Sequence, residues 1–131
     1  MKILIVEDDH ACRKFLFKFL SNYGECDLTV DGMEALDAFM TAIKDNEPYD
    51  LVCLDIMMPR LDGIRTLKAI REIEKKECII ESKKCKVIMT TALNDEGTIM
   101  ETYDNDCEAF AVKPINTEKF LEVMQKLGLV E

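Results

Sequence analysis

Short apolar runs alternate with stretches of helical period along the whole chain. Lys2 to Val6 is apolar, contains β-branched residues and stops at Glu7-Asp8-Asp9, which predicts a strand buried on both faces. From Ala11 to Tyr23, Phe15, Leu16, Phe19 and Leu20 recur at helical spacing, and Gly24 ends the helix. Cys26 to Val30 reads as a second, weaker strand. Asp31-Gly32-Met33-Glu34 resembles a capping box that opens a helix through Lys44, and Pro48 stops the following link. Asp50 to Leu54 is the third strand, followed by Asp55, a turn at Pro59, and Asp62-Gly63 as the cap of a helix through about Lys75. Lys86 to Thr90 is the fourth strand and Glu96 to Tyr103 a short helix. Ala109 to Val112 is the fifth strand, and Asn116 caps a last helix carrying Phe120, Leu121, Met124 and Leu127. Five alternations of strand and helix predict an α/β fold with a doubly wound, five-stranded parallel sheet covered on both faces.

The polar stretch 78–84 is longer than usual for a helix-to-strand link, and an extension of the third helix plus a surface loop is expected there. No internal repeat or linker interrupts the 131 residues, a length that suits one domain. A single domain over 1–131 with no output domain is the expectation. The composition, 48% hydrophobic and 33% charged, is that of a soluble globular protein. A net charge of −9 argues against a nucleic-acid surface and leaves proteins and metal ions as partners. The apolar start is too short for a signal peptide or a membrane span, so a cytoplasmic protein is expected. Six scattered cysteines without a Cys-x-x-Cys pair, and a single histidine, suit reduced core thiols better than disulfides or zinc.

Ligands of an open parallel sheet bind at the carboxyl ends of its strands. Those ends carry Glu7-Asp8-Asp9, Asp55, Thr90-Thr91 and Lys113. Glu7, Asp8 and Asp55 together form a negative cluster whose repulsion a cation or proton must relieve, and its oxygen donors suit Mg²⁺. A carboxylate in such a place can attack phosphorus and form an acyl phosphate, and Asp55 is the candidate. A hydroxyl and a lysine would neutralise the transferring oxygens, roles that fit Thr91 and Lys113. Asp9 reads as a helix-start acid, and His10 as an exposed residue beside it.

These residues resemble the response-regulator receiver family, and within it the single-domain chemotaxis-type regulators. The resemblance covers nearly the whole chain. It rests on Glu7-Asp8 after an apolar strand, Leu54-Asp55-Ile56-Met57-Met58-Pro59, Asp62-Gly63, Thr91-Ala92 and Lys113-Pro114. It implies a flavodoxin-like (βα)5 receiver fold and a protein that acts on its own aspartate rather than on an external substrate. It also implies that Asp55 receives a phosphoryl group from a histidine kinase and that Asp8, Asp55 and the Met57 backbone carbonyl bind Mg²⁺, with Glu7 acting mainly through water. Thr91 would bond a phosphoryl oxygen, Lys113 would pair with it across a cis bond to Pro114, and Phe110 would serve with Thr91 as the switch. A downstream protein target and a monomer able to dimerise on activation follow from the same resemblance. Met57 and Leu93 stand where the family controls water near the phosphoryl group, and their apolar side chains imply a long-lived acyl phosphate.

Other readings fit less well. Phosphatases of the haloacid dehalogenase type need a second acid two residues after the nucleophile, where this chain has Met57. A flavodoxin-like redox protein needs a phosphate-cradling first loop, and this one is acidic. A module independent of phosphorylation would have no need of the acids and the lysine together.

Overall fold

The computed structural model describes residues 1–58, 60–92 and 106–131. The predicted Pro59 turn, Leu93 and the helix expected from Glu96 to Tyr103 lie outside the described residues. The strands are β1 (Lys2–Val6), β2 (Glu25–Thr29), β3 (Leu51–Asp55), β4 (Lys86–Thr91) and β5 (Ala109–Val112). They form one parallel sheet in the order β2-β1-β3-β4-β5. The described helices are α1 (His10–Leu20), α2 (Gly32–Lys44), α3 (Gly63–Lys76) and α4 (Thr117–Lys126).

Period-two alternation divides the core between the two faces of the sheet. Leu4, Val6, Val52, Leu54, Val87 and Met89 project to one side, where Phe39 of α2 and Leu67 and Ile70 of α3 cover them. Ile3, Ile5, Leu51, Cys53 and Ile88 project to the other, beneath Leu16 and Leu20 of α1 and Phe120 and Met124 of α4. β1 and β3, central and wrapped on both sides, are therefore almost continuously apolar.

Each of these helices begins at an Asx cap that satisfies an otherwise unpaired backbone donor, an arrangement worth about 1 kcal/mol apiece. Asp9 accepts from the Cys12 N–H at 2.8 Å, Asp31 from Glu34 at 2.9 Å, Asp62 from Arg65 at 2.9 Å and Asn116 from Lys119 at 3.0 Å. The capping box at Asp31 is offset, because Glu34 reaches back to the Val30 N–H at 3.0 Å and not to that of Asp31.

Three expectations need correction. α1 stops at Leu20, and the N–H groups of Tyr23 and Gly24 fold back onto the Leu20 carbonyl as a turn. Phe15 is exposed, since Leu16 and Leu20 occupy the line of contact with the sheet and Phe15 lies about 100° round the helix from Leu16. α3 does not extend into the 78–84 stretch. Cys78 adopts a left-handed φ of 55°, the Ile79 N–H closes onto the Glu74 carbonyl at 2.9 Å, and only a single 3-10 turn, Glu81–Lys83, follows. No disulfide joins any of the described cysteines; Cys53, Cys85 and Cys107 are buried, while Cys78 is exposed.

Candidate functional site

Strand order reverses between β1 and β3, since β2 lies on one side of β1 while β3, β4 and β5 follow on the other. A crevice opens at the carboxyl edge of such a switch point. Into it run Glu7 and Asp8 from β1 and Asp55 from the last position of β3. Their carboxylate oxygens lie within 4.8 Å of one another. Glu7 is 0% exposed and Asp55 3%, whereas Asp8 stands open to solvent.

Lys113, just past β5, enters from the far side. Its Nζ is 2.8 Å from Glu7 Oε1 and 3.3 Å from Asp55 Oδ1, so one ammonium is divided between two buried acids. The contact with Glu7 is an ion pair rather than an aligned hydrogen bond. Burial and the adjacent Glu7 carboxylate push the Asp55 carboxyl up to about 7, against which Lys113 pulls only in part. Burial acts on Glu7 in the same sense, but interactions with Asp55, Lys113, Cys12 and the Asp9 N–H outweigh it and hold Glu7 below the usual range. Lys113 is raised, because its two acids outweigh its own burial. The two carboxyls thus titrate as a coupled pair, with one proton held above the ordinary carboxylate range and favoured on Asp55 over Glu7.

The β3–α3 turn is held against this edge by close backbone packing. The Gly63 N–H donates to the Ile56 carbonyl at 2.9 Å, and a Cβ at position 63 would overlap the Asp55 carbonyl oxygen. Gly63 is therefore required beside Asp55 for space, which accounts for the Asp62-Gly63 pair at the head of α3. Arg60, at φ 66°, places its guanidinium 2.7 Å from Asp31, whose side chain is 2% exposed, and joins the turn to α2.

The remaining sequence candidates are distributed as follows. Thr91 is buried and its hydroxyl donates to the Ala92 carbonyl at 3.2 Å, while its own carbonyl accepts from the Lys113 N–H at 2.7 Å. Phe110 is half-buried and packs on the α2 and α3 side of the core, the side toward which Thr91 also projects by register. The Met57 side chain, two residues past Asp55, is 64% exposed. The Lys113–Pro114 bond is cis, as expected. His10 is exposed, with Nδ1 3.2 Å from Arg13 Nη2, and Asp9 serves as a cap.

Two residues of α1 escaped the sequence reading. The Cys12 thiol interacts with Glu7 and is pushed up to about 12, by burial first and by that neighbouring acid second, so it is a neutral donor. Arg13 Nη1 donates to the carbonyls of Glu7 at 2.9 Å and Asp8 at 3.2 Å and fixes the backbone that carries both acids. Helical spacing was the available signal, since Cys12 precedes Leu16 by four positions and shares its sheet-facing side.

The response regulator receiver domain model matches residues 3–125. Hybrid signal transduction histidine kinase L of Dictyostelium discoideum is 33% identical over 128 residues, 97% of this chain and 7% of that protein. Response regulator MprA of Mycobacterium sp. (strain KMS) is 33% identical over 128 residues, again 97% of this chain and 50% of that protein. The chain therefore spans half or less of the length of these curated relatives. Among solved structures, the response regulator TrrA of Thermotoga maritima in complex with Mg²⁺–BeF superimposes with a TM-score of 0.76 at 29% identity, covering 96% of this chain and 97% of that one. A match running from β1 into α4 takes in the sheet and its carboxyl edge together, and the chain belongs to the response regulator receiver domain family.

Proposed function

We propose that Asp55 is the phosphoacceptor of a two-component system, that a histidine kinase is its donor, and that the phosphorylated chain signals by binding a protein target. Receiver domains accept phosphate from histidine kinases, and the relatives of this chain include both kinases and regulators. The observation that carries the assignment to Asp55 is its burial at the sheet's switch point between Glu7 and the Lys113 ammonium.

An Asp55 carboxylate oxygen attacks the donor phosphorus, the bond from phosphorus to the donor nitrogen breaks, and the donor histidine takes up a proton. Asp55 must be ionised to attack. Lys113 favours that form and lies within reach of the incoming charge, while Thr91 offers a hydroxyl at the end of β4. The cluster of Glu7, Asp8 and Asp55 suits Mg²⁺, because hard oxygen donors with excess negative charge match a small dication. Those three side chains and the Met57 backbone carbonyl would hold it. When bound, Mg²⁺ supplies neutralisation of charge on the phosphoryl oxygens. Thr91 and Phe110, projecting to one face, form the switch pair of this reading. The acyl phosphate is then lost by the chain's own hydrolysis. The reading places this action in the cytoplasm, where histidine kinases hand over their phosphoryl groups; no described helix is long and apolar enough to cross a membrane.

Incubation with a small phosphodonor and Mg²⁺ should add one phosphoryl group to the intact protein by mass spectrometry. Asp55→Asn should abolish labelling of the peptide that contains it. Undiminished labelling of that peptide in the variant would remove the assignment.

A further inference from the structure

Strand β4 ends in two threonines whose side chains leave the sheet on opposite faces. Thr91 continues the series Val87, Met89 toward α2 and α3, while Thr90 continues from Ile88 toward α1 and α4. The same alternation carries Ile5 to Glu7, Cys53 to Asp55 and Ala111 to Lys113. Thr90 therefore shares a face with the two buried acids and the lysine.

Register places it beside them. Thr90 is paired with Asp55 on one side and with Ala111 on the other, and neighbouring parallel strands run about 5 Å apart. The Ile56 N–H donates to the Thr90 carbonyl at 3.1 Å, so the two strands remain joined just past Asp55. Thr90 is 1% exposed, and its Oγ1 has no hydrogen-bond partner among the described residues. Buried polar atoms are nearly always paired. Packing alone does not account for this hydroxyl, because valine has the same shape and would leave no donor stranded.

We propose that Thr90 is a binding residue for the phosphoryl group, with a hydroxyl that has no hydrogen-bond partner among the described residues and donates to an oxygen of the Asp55 acyl phosphate. The inference rests on Asp55 being the acceptor. Phosphorylation leaves one carboxyl oxygen as a carbonyl and brings three phosphoryl oxygens, all acceptors, to a site where Lys113 is already divided between two acids. Thr90 can supply a donor without breaking an existing bond, and the small Ala111 on its other side offers no competing side-chain acceptor.

The test compares the parent with Thr90→Val and Thr90→Ser. Beryllofluoride affinity in excess Mg²⁺ is measured by calorimetry, and the thermal midpoint is measured without either ligand. Thr90→Val should melt at or above the parent while binding beryllofluoride roughly three- to ten-fold more weakly, and Thr90→Ser should bind like the parent. Equal affinity in Thr90→Val and parent overturns the proposal. A lower midpoint for Thr90→Val, with weak binding that Thr90→Ser does not restore, also overturns it, because the hydroxyl then serves the fold. A parent protein that neither binds beryllofluoride nor takes label at Asp55 sinks the assignment of Asp55 itself, which the other outcomes leave standing.

Discussion

Arg71 and Lys113 each meet two carboxylates at opposite ends of the sheet, all of them buried except Glu108. At the amino ends of β4 and β5, Arg71 donates to the Asp106 carbonyl at 2.8 Å, to Glu74 at 2.7 Å, to the Cys85 carbonyl at 2.9 Å and to Glu108 at 2.8 Å. The acids there have further donors, from Cys85 N–H to Glu74 at 2.8 Å and from Val87 N–H to Glu108 at 2.6 Å. At the carboxyl ends, one ammonium serves Glu7 and Asp55, Asp55 retains a proton up to about 7, and Thr90 has a bare hydroxyl. In each cluster one cation pairs directly with two acids, with the exposed Asp8 standing beside the second, so the number of ion pairs does not distinguish them. The supply of donors does. A planar guanidinium and backbone N–H groups complete the first cluster, whereas the second is left open to a cation and to new acceptor oxygens.

Removing the guanidinium should disrupt the satisfied end most severely. Arg71→Met strands the Glu74 carboxylate, which is 1% exposed, and should lower unfolding free energy by about 3–5 kcal/mol in a denaturant titration. Asp55 in the folded fraction should still take label. A loss below about 1 kcal/mol would show that this cluster does not clasp α3 to β4 and β5.

The second effect sharpens the contrast at the other end. Saturating Mg²⁺ should raise the thermal midpoint by the equivalent of a few kcal/mol at most, and Asp8→Ala should remove that gain. It should also depend on pH. Between about 4 and 7 the folded protein holds a proton on Asp55 that the unfolded chain has released, so this group's contribution to stability falls as pH rises through that window. Mg²⁺ competes with the same proton, and its stabilisation should grow over the same interval. A midpoint indifferent to Mg²⁺ at every pH would contradict the reading of the cluster as a metal site.

The smallest effect concerns the apolar residues two positions after Asp55 and two after Thr91. Met57 offers no hydrogen bond to an attacking water, so Met57→Asn should shorten the acyl phosphate lifetime several-fold, as measured by phosphate release. Leu93→Glu should act in the same direction. Unchanged rates in both variants would remove the account of shielding.

The sequence disclosed the open end far better than the satisfied one. Buried parallel strands are apolar until they leave the sheet, so Glu7, Asp55 and Lys113 stood out as the first polar residues past each run. Asx residues ahead of helical periods marked the starts of α2, α3 and α4 in the same way. The Arg71 cluster was hidden because its members are separated by up to 37 positions and each resembles a solvated surface charge when read alone. Phe15 misled because helical spacing gives a face but not which edge of it meets the sheet. The 78–84 stretch misled because Cys78 takes a left-handed turn usually left to glycine or asparagine. Thr90 was invisible for a different reason: in a strand, threonine and valine serve the same pattern, and only the three-dimensional surroundings show that a hydroxyl has no partner.

The carboxyl end of the sheet is held short of satisfaction around Asp55. Carbon-13 NMR titration of the Asp55 carboxyl, in protein free of divalent metal and again with excess Mg²⁺, measures this at the atom concerned. An apparent midpoint near 7 is expected without metal, shared with Glu7 as a coupled pair, with a fall toward the ordinary aspartate range once Mg²⁺ is added. A midpoint near 4 in both conditions would contradict it.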